Sequence, residues 1–177
     1  MDSKRFASLL ATVMIFAAAG SRLVPHPWNC TPLIALALFA GARLDRTGWA
    51  VAATLGSLAL GDLALGSFPY PGMAWVYLTA AAIVLLGRTL RPRVALAATL
   101  TAALGGGFVF YAVTNFGVWT AGQLYPRTWA GLASCYVAGL PFYRNQVAGD
   151  VVFTAVLFGL QWLGTSIHAR YQVRVTG

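Results

Sequence analysis

The chain is built from hydrophobic runs close to the length of a bilayer crossing, with almost no charge inside them. A helix crossing the ~30 Å hydrocarbon core needs about 20 mostly apolar residues. Six stretches approach that pattern: 6–23, 31–42, 48–65, 73–86, 94 to about 113, and 148 to about 167. Only 9% of the residues are charged, against roughly 25% in a soluble domain. The expected fold is therefore an all-α integral membrane protein. It is a single membrane domain over 1–177, arranged as a six-transmembrane-helix bundle. The second and fourth runs are shorter than a simple span. They tilt little, extend into the interface, or lie partly inside the bundle.

The formal net charge of +8 is read here as membrane topology, not as a nucleic-acid footprint. Lys4, Arg5, Arg43, Arg46, Arg88, Arg91, Arg93, Arg170 and Arg174 flank the two termini and the 2–3 and 4–5 connections. Arg22, Arg127 and Arg144 fall on the other side. Basic residues concentrate on cytoplasmic flanks. Both termini are expected in the cytoplasm, with the 1–2, 3–4 and 5–6 connections facing outward.

The stretch 111–145 stands apart from an ordinary membrane loop. It carries Asn115, Phe116, Trp119, Tyr125, Pro126, Trp129, Cys135, Tyr136 and Phe142 with little charge. Loops longer than about 12–15 residues are functional or disordered, and disorder requires low hydrophobicity. A long ordered outward 5–6 loop is expected to cap the bundle. Aromatics concentrate on the outer half, where an interfacial belt would populate both faces. That asymmetry favours an aromatic-lined pocket for a flat organic ligand.

Ionisable residues inside apolar runs are costly and mark function by default. Asp62 and Asp150 both lie near the outer ends of their runs. They either pair with Arg22, Arg127 or Arg144 as structural ties, or contact a ligand. Cys30 and Cys135 allow one disulfide, a soft metal ligand, or two small buried hydrophobes. His26 and His168 fall on opposite faces and cannot hold one haem together. Small residues at helical spacing, Ala7 and Ala11 among them, admit close helix approach within the bundle or to a second subunit. The run Gly105–Gly106–Gly107 kinks the fifth helix or admits a ligand near its backbone. No nucleophile elbow, zinc-protease or phosphate-loop motif occurs, so no enzyme activity, cofactor or metal is expected.

Several segments are similar to a group of uncharacterised bacterial membrane proteins classed with transport. They are Arg22-Leu23, His26-Pro27, Asn29, Thr31-Pro32, the run ALALFAGARL, TNFGVW, the YP-T--GL--CY pattern and PFYRN-----D. The group resembles the substrate-binding S components of energy-coupling-factor vitamin transporters. That resemblance implies a multi-pass protein of the bacterial cytoplasmic membrane. It implies uptake of a small organic micronutrient, a vitamin or corrinoid, bound on the outer face. It also implies docking on a membrane coupling subunit with ATPases through an AxxxA pattern, here Ala7 and Ala11. A cysteine at cobalt is known among solitary relatives, and the resemblance leaves that part open to either Cys30 or Cys135. The expected substrate contacts are Asn29, Cys30, Asp62, Tyr77, Asn115, Trp119, Tyr125, Tyr136, Asn145 and Asp150. The competing expectation is a small membrane enzyme or redox subunit with a cofactor at the outer face.

Overall fold

The computed structural model describes residues 3–91, 95–122 and 124–176, except the side chains of 174–176. Arg93 and Val94, and the side chain of Arg174, lie outside it. Among the described residues there are six α-helices and no strand. They are α1 (Ser3–Gly20), α2 (Leu33–Arg43), α3 (Thr47–Ala64), α4 (Met73–Thr89), α5 (Leu96–Ala121) and α6 (Trp129–Thr176). A 3-10 turn at Ser21–Leu23 follows α1. Helices α1 (Ser3–Leu23 with that turn), α5 and α6 (Trp129–Val173) are long and apolar enough to cross a membrane. Helices α2 and α4 are apolar but shorter.

Consecutive helices run antiparallel. Tyr77 meets Asp62 at one end of the α3–α4 pair, and Arg88 meets Thr47 at the other. Gly117 and Gly106 of α5 face Trp75 and Ile83 of α4. Tyr136 and Gln146 of α6 bond to Ala112 and Gly107 of α5. The bundle thus has a terminal end, with both termini and the turns at 44–46 and 90–91. Its opposite end carries the connections 21–32, 65–72 and 122–128; we call it the cavity end.

Helix α2 is the hub. Its residues Ile34 to Ala42 are all buried, and it packs against each of the other five helices. A helix apolar all round belongs inside a bundle. At 11 residues it is only ~16 Å long, too short to span, but it is sheathed by protein. One hydrophobic core joins Ala11, Leu36, Ala50, Ile83, Ala103 and Leu157, one from each helix. The crossing of α2 and α4 depends on a glycine pair. A Cβ on Gly41 would fall on the carbonyl of Val84, and one on Gly87 on the carbonyl of Leu38. The backbones approach because neither side chain exists.

A buried helix must still satisfy its terminal carbonyls. Arg88 donates to the carbonyls of Leu44 (2.6 Å) and Gly41 (3.3 Å), and Arg91 to those of Gly41 (3.3 Å) and Leu44. Cations at a helix C-terminus also complement its dipole. Two of the basic residues read from sequence as flank charges therefore cap α2 as well.

The aromatic stretch 111–145 is not a loop. Helix α5 runs on to Ala121 and α6 begins at Trp129. Only 122–128 connect them. The expected long 5–6 cap is corrected to a helical hairpin, because its side chains pack across the α5–α6 seam at helical spacing. Tyr111 donates to the carbonyl of Tyr136 (2.6 Å) and Tyr136 to that of Ala112 (2.7 Å). At 48 residues, α6 is ~72 Å long, well beyond one bilayer crossing. Pro141 sits inside it and cannot donate to the carbonyl of Val137.

The two residues expected to dock a partner on α1 differ in exposure. Ala11 is 0% exposed, and the carbonyl of Ala7 accepts from Gln161 Nε2 at 3.0 Å. Ala11 therefore lies inside the bundle, while Ala7 is half-buried. The triple glycine leaves α5 continuous.

Candidate functional site

The turn after α1 carries Arg22 across to α3. Its guanidinium donates to Asp62 Oδ1 at 2.8 Å and to the carbonyl of Leu58 at 3.3 Å. Tyr77 of α4 donates its hydroxyl to Asp62 Oδ2 at 3.0 Å. Asp62 is 2% exposed, and each carboxylate oxygen has a donor. A buried carboxylate needs both a charge partner and hydrogen bonds. Burial, and after it the neighbouring Asp62 charge, pushes the Tyr70 phenol up to about 12. It therefore stays neutral and donor-competent across physiological pH. The network ties α1, α3 and α4 together at the cavity end.

Asp150 is arranged differently. It is 0% exposed. Among the described residues, its Oδ2 receives only a long bond from Gln146 Nε2, 3.3 Å, and its Oδ1 has no hydrogen-bond partner. Gln146 also donates to the carbonyl of Gly107 at 2.9 Å. A Cβ on Gly107 would overlap Asp150 Oδ2. Glycine there opens the space that the carboxyl occupies, so the group admitted close to the α5 backbone is the chain's own acid. Gln146, Asp150, Thr154 and Gln161 are all buried and share one face of α6 by their spacing.

Two adjoining cavities lie between these groups. One, of about 140 Å³, is bounded by Arg22, Thr31 and Tyr70 on one side and by Phe110, Gln146 and Asp150 on the other. The second, about 200 Å³, lies under Tyr111, Thr114, Asn115, Phe142 and Tyr143. Asn29 and Gln146 line both. Asn29 has φ 61°, a left-handed conformation uncommon outside glycine that asparagine tolerates best.

Of the residues expected from sequence, Asn29, Asn115 and Asp150 line the cavities. Asp62 and Tyr77 stand behind Arg22 as its support. Asn145 ties α6 to the carbonyl of Trp28 at 3.1 Å. Trp119 donates from Nε1 to the carbonyl of Pro126 at 3.0 Å, fastening the short connection, and lines neither cavity. Tyr125 is half-buried in that connection, and Tyr136 packs in the α5–α6 seam. Both cysteines are free. Cys135 is buried with its thiol on the Asn115 carbonyl at 3.3 Å, and Cys30 lies against Gly149. His26 sits at the cavity end with Nδ1 2.6 Å from the carbonyl of Val24. His168 stacks on Phe6 at the terminal end.

Gln146, Tyr70, Thr31 and Gly107 were absent from the expected contacts. A signal for Gln146 existed: it precedes Asp150 by four residues, so the two are neighbours on any helix that includes both.

A model for a family of unknown function, DUF6580, matches residues 2–171, and the chain belongs to that family. No curated protein and no solved structure matches it.

Proposed function

We propose that this DUF6580 member is a six-span protein of the bacterial cytoplasmic membrane that binds a small organic solute for uptake. The paired cavities at one end of the bundle are the observation that carries this reading. They combine a few convergent polar groups with apolar and aromatic walls, as small-molecule sites do. Their volumes favour a compact solute over a corrinoid. The antiparallel order of six helices and the sheathing of the short α2 support six crossings, because a short helix inside protein need not meet lipid. Arg5, Arg43, Arg46 and Arg170 belong to the terminal end, which supports both termini in the cytoplasm. The cavities then open toward the outer face. Six crossings with an outward-opening cavity would suit an S-component-like protein. With Ala11 buried, a coupling subunit with ATPases would meet α1 through Ala7 and its exposed neighbours or use another face.

The test is native mass spectrometry of the detergent-purified protein and a doubly filled variant, Val76→Trp/Val118→Trp. Val76 and Val118 each line one cavity. The reading predicts an added small-molecule mass on the wild type that the folded variant lacks. A mass retained on the variant would place the ligand elsewhere.

A further inference from the structure

Resting on the solute-binding reading, we infer that the solute is an organic monocation, its protonated amine or cationic ring held by Asp150. The electrostatics of the cavity lead there. Arg22 lines the cavity, but its charge is offset by Asp62 at 2.8 Å, and its guanidinium is further held by the Leu58 carbonyl. Asp150 lines the same cavity with no cation on it among the described residues. It has one neutral amide donor at 3.3 Å and one oxygen with no partner. With Asp150 ionised, the form that a bound cation favours, Arg22, Asp62 and Asp150 together leave one negative charge. A buried charge in apolar surroundings needs a partner of opposite sign.

The remaining walls fit the same chemistry. Phe110 and Tyr70 are aromatic linings of the cavity, and a cation is attracted to aromatic faces within about 6 Å. Gln146 holds one carboxylate oxygen and Gly107 leaves room for it, so the acid is pre-oriented. Anionic solutes are disfavoured because Arg22, the one cation among the described lining residues, is already neutralised.

The experiment measures thermal stability and calorimetric binding of the purified full chain with three probes of one shape. These are 2-phenylethylammonium, 2-phenylethanol and 3-phenylpropanoate, each with wild type and Asp150→Asn. The expected result is stabilisation of the wild type by the ammonium alone, with at least a tenfold affinity loss in Asp150→Asn. Equal binding of ammonium and alcohol to the wild type would overturn the cation inference and leave the solute-binding reading standing. Preference for the carboxylate would overturn it in the same way. So would ammonium binding that survives in folded Asp150→Asn. Should that variant not fold, the ranking of the three probes on the wild type decides. No binding of any probe at millimolar concentration would overturn the inference and count against the binding reading too.

Discussion

The Arg22–Asp62 pair yields a prediction whose size follows from its surroundings. Asp62 is 2% exposed and has one charged donor at 2.8 Å and one neutral donor at 3.0 Å. Arg22→Met leaves a buried carboxylate with only the Tyr77 hydroxyl. Breaking a buried pair from one side costs about 3–5 kcal/mol. For a chain of this size 1 kcal/mol corresponds to about 2–4 °C in Tm, so the expected fall is roughly 6–20 °C. Asp62→Leu should cost less, about 1–3 kcal/mol, because the Arg22 side chain is 17% exposed and can turn toward water. The double variant Arg22→Met/Asp62→Leu removes both charges and should lie near the wild type. The assay is thermal unfolding in one detergent, followed by intrinsic tryptophan fluorescence, for the four proteins of the cycle. Additive losses in the double variant would refute the reasoning, because an isolated buried charge would then not be what destabilises the single variant.

Gly87→Ala should destabilise by about 1–3 kcal/mol or more through overpacking, since the new methyl meets the Leu38 carbonyl rather than a movable side chain. A Tm within 2 °C of wild type, in roughly the span that 1 kcal/mol covers, would show that α2 and α4 can separate freely. Arg88→Met removes donors from the Leu44 and Asp45 carbonyls. It should cost only about 1 kcal/mol in the same unfolding assay, because Arg91 still donates to the Gly41 and Leu44 carbonyls at the end of the hub helix, whereas Arg46→Met at an exposed position should be nearly silent.

Much of the bundle was legible because hydrophobic length and pattern act locally. All six helical segments are present, and Met73 marks the start of α4 as read. The ends of α5 and α6 were not legible. Asn115, Trp119 and Pro141 weaken helix propensity or read as turn signals, yet the Tyr111, Tyr136 and Cys135 contacts across the seam outweigh propensity, and only Pro126 falls in the connection. The site shows the same division. Asp150 stands out in sequence as a charge in an apolar run, and so does Asp62. Which of them is paired depends on where Arg22 lands, a contact between residues 40 apart. Ala11, buried, and Ala7, half-buried, show that small-residue spacing alone does not say which neighbour a helix face meets.

The most direct test of this account is the side from which each bundle end is reached. Single cysteines at Arg46→Cys and Arg127→Cys, both exposed positions at opposite ends, are placed in a Cys30→Ala/Cys135→Ala background. Intact cells are treated with a membrane-impermeant maleimide. The account predicts that position 127 is labelled from outside and position 46 only after permeabilisation. Labelling of both from the same side would contradict six crossings with an outward-opening cavity.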